Sequence, residues 1–265
     1  MPELAEVEYY RKQWLPALNQ TVTSVHLNSD KRVFRGLDCA ALKQNLVQEK
    51  FIESLVHGKQ LCLRFGQSHW LGVHLGMTGK MQVLQAGGKP AKHDHLILRM
   101  DSKLSLVFSD ARMFGRILYS NHDQEPDWWA HRPPEILSPE YSFDRVDTYL
   151  NRRTKSPIKA VLLVQEFFPG VGNWMADEIL WRSRILPSRK CGRITMRERK
   201  ELYARIREVS EDAIRVIGAD WGRPPKNWLF NHRWKAGGSC PQTGKLLTRA
   251  KVGGRTSCWS PSWQR

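Results

Sequence analysis

The sequence contains no run of apolar residues that approaches the ~20 needed to span a membrane as a helix. Its start lacks the apolar stretch of a secretory signal peptide. Its cysteines are odd in number and scattered, which excludes the disulfide framework of a small secreted domain; they are Cys39, Cys62, Cys191, Cys240 and Cys258. We therefore expect a soluble chain without a membrane partner in a reducing compartment, either the bacterial cytoplasm and its nucleoid or, in a eukaryote, the nucleus.

Acidic residues are scarce, since Asp and Glu total 26 against 42 Lys and Arg, a formal net charge of +16. Such an excess predicts a polyanionic partner, most often nucleic acid. From Trp221 to the end there is no acidic residue, and the cations there are Arg223, Lys226, Arg233, Lys235, Lys245, Arg249, Lys251, Arg255 and Arg265. A segment of one charge sign indicates contact with a polyanion. The alternative is a disordered basic tail, but apolar residues such as Trp228 and Leu247 favour a packed segment.

The pattern of apolar residues changes along the 265 residues, which predicts one large domain or two smaller ones. Residues 3–18 have the spacing of an amphipathic helix. Short β-prone runs with turn signals follow, typical of a sandwich or barrel; they are 21–27, 51–56, 60–66, 69–76, 80–85, 95–100, 104–109 and 115–120. Helical patterns come next, at 143–151, 156–166, 173–184 and 195–217. Gly253 and Gly254 then predict a hairpin turn.

The chain begins MPELAEVE. If Met1 is removed, Pro2 offers a secondary amine that can attack a carbonyl carbon, and Glu3 stands beside it as an acid. Ordinary helix entry explains the same residues, because proline suits the first helical turn and acidic side chains suit the positive end of a helix. On these residues alone, a plain helix start is the favoured interpretation.

The stretch FPGVGNWMADEIL predicts a sharp turn followed by a helix. Gly170 and Gly172 permit the turn and a close approach of the backbone to a partner. Asn173 is the predicted N-cap, with Asp177 and Glu178 in the first turn. The free N–H groups of such a helix end suit a DNA phosphate, and a capped turn without a ligand is an equally good interpretation.

Two further stretches, VHLGMTGKM and SDARMFGR, carry Met77, Arg112 and Phe114. Apolar side chains can enter a base stack, and an arginine can fill the space that a displaced base leaves. Taken singly, Met77 and Phe114 are better explained as core residues, because these residue types are usually buried.

Eight motifs occur in a fixed order: PELAEVE, HGK, HLGMTG, KHDH, DARMFG, KSPIK, GVGN and VGGRT. Together they resemble the formamidopyrimidine-DNA glycosylase and endonuclease VIII family over essentially the whole chain, and HLGMTG with KHDH is closer to the formamidopyrimidine branch. The resemblance implies a multi-domain α+β fold. Its expected parts are a catalytic β-sandwich with an N-terminal helix (1–125), a linker (126–142), a helix–two-turn–helix (H2TH) domain (143–220) and a zinc-finger-like β-hairpin (221–265).

The resemblance also implies a function in base excision repair. Family members flip damaged bases out of duplex DNA held in a cleft, excise oxidised or ring-opened bases and cut the strand by β/δ-elimination through a proline Schiff base. We therefore expect a monomeric DNA-formamidopyrimidine glycosylase with abasic-site lyase activity whose partner is damaged double-stranded DNA. The alternatives are a catalytically idle DNA-binding protein using the same cleft and an RNA-binding protein. The short loop 218–228 leaves the preferred base open.

Matching each motif to the family gives the expected site residues. The residues at its catalytic positions are Pro2, Glu3, Glu6, Lys59 and Arg255. The residues at its DNA-binding positions are His93, Arg112, Lys155, Asn173, Met77 and Phe114, with Lys159 as an added phosphate contact. The resemblance makes Pro2 the nucleophile and Glu3 the acid that protonates the sugar, and an α-amino group suits the first role because its pKa is about 8.

The hairpin departs from the family, in which two Cys-x2-Cys pairs bind zinc. Cys240 is present, but Thr243, Ser260 and Trp263 stand at the other three ligand positions. One ligand is too few for a tetrahedral site, so the sequence predicts a zincless finger and no cofactor. A rearranged site that uses Cys240, Cys258 and His232 is the alternative, although its spacing is poor.

Overall fold

The computed structural model describes residues 1–85 and 89–265. It divides into two compact units, one of residues 1–2 and 6–132 and the other of residues 3–5 and 133–265. Within the described ranges, no helix is long and apolar enough to cross a membrane. The finer division into four parts stays a prediction; residues 126–132 of the expected linker lie in the first unit.

The first unit is a β-sandwich that follows helix α1 (Leu4–Gln13). In chain order its strands are β1 (Val22–Leu27), β2 (Phe51–His57), β3 (Gln60–Phe65), β4 (His69–His74), β5 (Lys80–Gln85), β6 (Asp94–Met100), β7 (Leu104–Ser109) and β8 (Arg116–Asn121). They form two antiparallel four-stranded sheets, ordered β1-β6-β7-β5 and β2-β3-β4-β8. Apolar residues from both sheets share one buried core, among them Leu63, Leu71, Leu98 and Phe108.

Two short helices complete this unit. Helix α2 (Cys39–Asn45) begins at Asp38, whose carboxylate accepts a hydrogen bond from the Ala41 amide at 3.0 Å. Helix α3 (Asp127–Ala130) packs Trp128 and Trp129 against Cys62 and Trp70 of the second sheet. The tryptophans of this proline-rich stretch therefore cover a sheet face.

The second unit is helical and ends in a hairpin. Its helices are α4 (Phe143–Arg152), α5 (Ile158–Leu162), α6 (Asn173–Arg182) and α7 (Met196–Asp220). Thr195 and Glu198 form a capping box that begins α7. The hairpin pairs β9 (Thr248–Val252) with β10 (Arg255–Trp259) through Gly253 and Gly254, both at positive φ, as the glycine pair predicts.

Two helices are much shorter than the sequence pattern predicts, and α6 ends two residues before the predicted residue 184. Helix α1 ends at Gln13 instead of residue 18, because Pro16 lies in a separate 3₁₀ turn, Leu15–Ala17, and proline cannot continue an α-helix. Helix α5 spans only Ile158–Leu162 instead of 156–166. The side chain of Gln165 donates to the carbonyls of Leu163 and Val171, so hydrogen bonds of the following turn replace those of a helix.

Candidate functional site

Glu3 lies at the N-terminus of α6. Its side chain is almost fully buried, and its two carboxylate oxygens accept hydrogen bonds from the amides of Trp174 at 2.9 Å and Met175 at 3.0 Å. Free backbone amides and the helix dipole both favour a negative charge at this position. The carboxylate is therefore fixed by two backbone donors on a rigid element.

Glycine at position 172 is required for this arrangement. A Cβ at Gly172 would stand 2.2 Å from the Glu3 carboxyl carbon, far inside van der Waals contact. The Leu4 amide donates to the Gly170 carbonyl at 3.0 Å, which attaches the same loop to the following residue. The loop that precedes α6 is thus built around residues 3 and 4, directly after half-buried Pro2, whose nitrogen here forms a peptide bond with Met1.

The candidate wedge residues lie on two loops of the first unit. Met77, between β4 and β5, is half-buried, and Arg112, after β7, is exposed. Phe114 is 43% exposed, and the Arg112 guanidinium lies 5.0 Å from the centre of its ring. An exposed phenylalanine covered by an arginine is available to a partner, and the core interpretation of Phe114 is therefore wrong.

His74, at the end of β4, lies where the neutral form of its imidazole is favoured. Burial lowers the pKa of its imidazole below the ordinary value of 6.5, and the charges of Lys59 and Arg35 lower this pKa further. The neutral ring accepts a hydrogen bond from the Gly76 amide on Nδ1 at 3.1 Å. Lys59, in the β2–β3 turn, thus lies in a positively charged region beside a neutral histidine.

Other candidate residues are presented at the surface. Exposed His93 precedes β6, exposed Lys155 precedes α5, and exposed Arg255 begins β10. Glu6 is half-buried on α1, as is Asn173 at the start of α6. The side-chain amide of Asn173 donates a hydrogen bond through Nδ2 to the Thr256 carbonyl at 2.9 Å and so joins α6 to the hairpin.

Asp177 is the centre of a buried ion network in the second unit. Its fully buried carboxylate accepts hydrogen bonds from Lys159 Nζ at 2.5 Å and Arg233 Nη2 at 2.6 Å. It also accepts one from the Cys258 amide of β10 at 3.0 Å. The ammonium of Lys159 reaches the Asn173 carbonyl at 2.6 Å, so the network connects α5, α6 and the hairpin.

The expected zinc position is held by hydroxyl groups and one thiol. Trp181 donates its indole N–H to Cys240 Sγ at 3.4 Å, while Ser262 bonds Thr243 at 3.0 Å and Ser260 at 3.1 Å. Burial raises the pKa of the Cys240 thiol, but hydrogen bonds, from Ser260, Thr243 and Trp181 among others, outweigh it and lower that pKa to about 7. Among the residues that the structure describes, no three His, Cys, Asp or Glu side chains group to hold a metal ion.

Comparison with known proteins identifies the family. The chain matches the formamidopyrimidine-DNA glycosylase N-terminal domain over residues 1–117 and the formamidopyrimidine-DNA glycosylase H2TH domain over residues 133–221. The formamidopyrimidine-DNA glycosylase of Pelotomaculum thermopropionicum is 32% identical over 282 aligned residues, which cover 100% of this chain and 99% of the relative. The chain belongs to the formamidopyrimidine-DNA glycosylase family.

Solved structures of formamidopyrimidine-DNA glycosylases have the same fold. A complex of the Lactococcus lactis Fpg with DNA that contains an abasic site is 26% identical, with a TM-score of 0.89 and 99% of each chain covered. A MutM complex with DNA that contains carbocyclic 8-oxo-G is 27% identical, with a TM-score of 0.88 and complete coverage of both chains. The predicted fold class is therefore confirmed: a β-sandwich, an H2TH region and a terminal β-hairpin.

The phosphate contact predicted for Lys159 is wrong. The second unit buries the whole lysine side chain, and its ammonium is bound by the Asp177 carboxylate and the Asn173 carbonyl. Desolvation lowers the pKa of the ammonium, although Asp177 acts in the opposite direction. Lys159 therefore stabilises the interior of the second unit.

The details predicted for the start of α6 are also wrong. The N-cap is Gly172, and Asn173 is the first helical residue. Asp177 falls in the second turn, where its charge is paired with cations instead of with the helix dipole. The amides expected to bind a DNA phosphate are those of Trp174 and Met175, and they bind Glu3. The anion at this helix end is a residue of the chain itself.

Sequence reasoning missed two carboxylates, Asp110 and Asp177. Asp110 is fully buried and accepts hydrogen bonds from two loops, one that carries Met77 and one that carries Arg112. The motif SDARMFGR contains Asp110, but the prediction of wedge residues used only its Arg112 and Phe114. For Asp177 the local pattern indicated a different role, because an acidic residue near a helix start is commonly exposed to solvent.

Proposed function

We propose that this chain is a bifunctional DNA glycosylase and abasic-site lyase that excises oxidised or ring-opened bases from duplex DNA. The observation that supports it most directly is the fixed carboxylate of Glu3, held by the α6 amides beside a proline that becomes the N-terminus once Met1 is removed. A helix that begins at Leu4 does not need a buried acid directly before it. Membership of the glycosylase family supports the same activity.

The proposed chemistry begins with proton transfer. The hydrogen bonds from Trp174 and Met175 hold the Glu3 carboxylate in a fixed position next to Pro2 in the chain, and we propose that it takes the proton of the Pro2 ammonium. That step frees the amine and loads the acid. The Pro2 nitrogen then attacks C1′ of the damaged nucleotide, and the base leaves with the electrons of the broken bond. The amine loses its remaining N–H proton as the C1′=N bond forms, and the departing base takes up one proton. Glu3 gives its own proton to the sugar ring oxygen as the ring opens.

The resulting iminium ion withdraws electrons from the sugar. Removal of the C2′ proton lets the 3′ phosphate leave with its bonding electrons, which is β-elimination. A second elimination removes the 5′ phosphate, and water hydrolyses the iminium to restore Pro2. Glu6 is proposed to support these proton transfers, and Lys59 and Arg255 are proposed to hold phosphates around the lesion.

We propose damaged duplex DNA as the partner of a monomer. His93, Arg112 and Lys155 are exposed cationic or titratable groups, which suits contacts to phosphates. Met77, Arg112 and Phe114 are proposed to fill the space left by the flipped nucleotide. DNA repair places the chain where DNA is, in the bacterial nucleoid or, in a eukaryote, the nucleus.

The proposed function is tested with protein from which Met1 has been removed, checked by intact mass. Duplexes that carry a ring-opened purine, 8-oxoguanine, a hydantoin, an oxidised pyrimidine or an abasic site are assayed for excision and cutting, with borohydride added in parallel. An active enzyme excises at least one base and becomes covalently attached to DNA. Tight, salt-sensitive binding to duplex DNA with no adduct and no product on any duplex would support the idle binder, and preference for RNA at matched salt would support an RNA-binding protein.

We further propose that the hairpin works without a metal ion or another cofactor. The hydroxyl cluster around Cys240 and the Asp177 network supply the cross-links that zinc supplies elsewhere. Elemental analysis is expected to find far less than one zinc per chain, with the melting temperature unchanged by chelator. The triple variant Thr243→Cys, Ser260→Cys, Trp263→Cys restores the expected ligands and serves as the zinc-binding control. One tightly held zinc in the unmodified chain would contradict the proposal.

A further inference from the structure

One buried carboxylate joins the two loops that carry the candidate wedge residues. Asp110 follows β7 and is fully buried. Its Oδ1 accepts hydrogen bonds from the Thr78 hydroxyl at 2.6 Å and the Arg112 amide at 3.2 Å, and its Oδ2 accepts one from the Gly115 amide at 2.7 Å. Thr78 directly follows Met77, so this side chain connects the loop of Met77 with the loop of Arg112 and Phe114.

The backbone of Asp110 is held as firmly as its side chain. Its amide donates to the carbonyl of His93 at 3.0 Å, and its carbonyl accepts a hydrogen bond from the buried His95 ring at 2.9 Å. The same carbonyl accepts the Met113 amide at 3.3 Å. Met113 has a φ of 54°, a left-handed conformation that is unfavourable for a non-glycine residue. The contacts to Asp110 thus hold a strained loop in place.

The two loops touch through their backbones. A Cβ at Gly76 would lie 2.4 Å from the Gly115 amide nitrogen and 2.5 Å from the carbonyl carbon of Phe114, so only glycine fits. Because the two backbones pack too closely for a Cβ between them, we expect a shift of one loop to move the other. The positions of Met77, Arg112 and Phe114 therefore depend on a common support.

We propose that Asp110 is the positioning residue that sets Met77, Arg112 and Phe114 for displacement of a damaged base. This inference rests on the proposed function. Wedge residues on ordered loops enter the base stack without a prior ordering step, whereas mobile loops add the entropy of ordering to the barrier. Asp110 consequently governs excision of a base from a duplex, and it has little effect on strand cleavage at an abasic site, where no base has to be displaced.

The three groups that hydrogen-bond the Asp110 carboxylate within the described part of the chain are all donors. The Arg112 and Gly115 amides can only donate, and the Thr78 hydroxyl accepts a hydrogen bond from the Arg112 amide at 3.2 Å, which directs its own proton to Asp110. An asparagine at position 110 would turn its amide nitrogen toward one of these donors in either orientation. The isosteric change Asp110→Asn therefore removes the support while keeping the volume of the side chain.

The test compares single-turnover rates on two matched duplexes, one carrying the base that the wild type excises fastest and one with an abasic site at the same position. Asp110→Asn is expected to slow base excision by about 10- to 100-fold, the effect of losing buried hydrogen bonds, and to change abasic-site cleavage by less than about threefold. Thr78→Val and Thr78→Ser form a matched pair that leaves Asp110 intact. The valine variant is expected to slow excision by about 5- to 10-fold, and the serine variant is expected to retain the wild-type rate.

Further measurements separate positioning from a general loss of structure. Leu98→Ala destabilises the sandwich core away from both loops and is expected to affect the two duplexes equally. 2-Aminopurine opposite the lesion reports base displacement by fluorescence without any chemistry, and Asp110→Asn should reduce this signal in the bound complex. Equal losses on both duplexes, or an unchanged excision rate and fluorescence signal, would overturn the positioning role. If Asp110→Asn fails to fold, the Thr78 pair decides.

Failure of the proposed function has a different signature. In that case the wild type itself neither excises a base nor cuts at the abasic site. The fluorescence measurement still tests the role of Asp110 in that case, because the signal requires only DNA binding and base displacement. An unchanged signal in Thr78→Val would then refute the inference, and a reduced signal with recovery in Thr78→Ser would support it.

Discussion

Replacing Pro2 with glycine is expected to reduce borohydride trapping and lyase turnover by roughly two orders of magnitude, because the nucleophile changes from a secondary to a primary amine. Proline forms an iminium ion whose nitrogen has no proton to lose, so its positive charge does not depend on protonation. Glycine forms an imine that withdraws electrons only when protonated, and its backbone is free to leave the reactive position. Binding to abasic-site DNA should change little, since the variant loses no charged group.

The matched control for this variant is the unmodified sequence with Met1 retained. That protein has Pro2 and the same fold, but its Pro2 nitrogen is an amide without a nucleophilic lone pair. Both proteins are expected to bind DNA without forming the adduct that processed wild type forms. Undiminished lyase turnover in protein shown by intact mass to retain Met1 would refute the role of Pro2.

Replacing Asp177 with asparagine is expected to lower the free energy of unfolding by about 3–5 kcal/mol, the usual effect of removing one partner from a buried ion pair. The change leaves the charges of Lys159 and Arg233 without their carboxylate and weakens the acceptor of the Cys258 amide on β10. Urea unfolding at pH 7 measures the loss. Glu201→Gln, which breaks a partly exposed ion pair with Arg205, is the matched control and should change stability by about 1 kcal/mol or less.

The pH dependence of the stability of the Asp177→Asn variant provides a second test of the Asp177 network. Burial already lowers the pKa of Lys159, and removal of the carboxylate lowers it further. The unfolded chain then binds more protons than the folded one between the lowered pKa and the ordinary value near 10.5, so stability of the variant rises with pH across that range. A variant as stable as wild type at pH 7, with no such rise, would show that Asp177 does not hold the hairpin.

The Asp177 network is also expected to affect activity through Arg255. This arginine is the first residue of β10, the strand whose Cys258 amide donates a hydrogen bond to Asp177. Loss of the network should impair strand cleavage in the same direction as Arg255→Ala, which removes the guanidinium directly and leaves folding intact. Replacing Lys159, Asp177 and Arg233 together by Met, Leu and Met is expected to restore much of the stability, because apolar side chains of similar volume do not leave a buried charge.

Local sequence patterns predicted most of the architecture. The runs of the sandwich matched the observed strands to within two residues, because alternating apolar residues between turn signals determine a strand by themselves. The seven-residue helix α2 was missed, since its main signal is the single cap at Asp38. Helix α5 was predicted too long, because the hydrogen bonds of Gln165 that replace the helix depend on tertiary structure.

The site was predicted only as far as motifs reach. The order of the motifs identified Glu3, but nothing in them indicated that its partners are the amides of Trp174 and Met175, 171 and 172 positions away. Local patterns likewise cannot distinguish a buried carboxylate from a solvated one, so Asp110 and Asp177 became visible only when the folded chain placed donors around them. The phosphate contact of Lys159 was wrongly predicted for the same reason, because the burial of this side chain depends on Asp177 and on the hairpin.

Helix α6 has a mechanical consequence. Its first amides hold the carboxylate of Glu3, its first residue bonds the hairpin carbonyl of Thr256, and one turn later Asp177 binds β10. A helical turn is stiff, so these attachments cannot move independently. A displacement of the hairpin is therefore expected to shift the Glu3 carboxylate as well, so that contact of the hairpin with a ligand would change the position of this candidate acid.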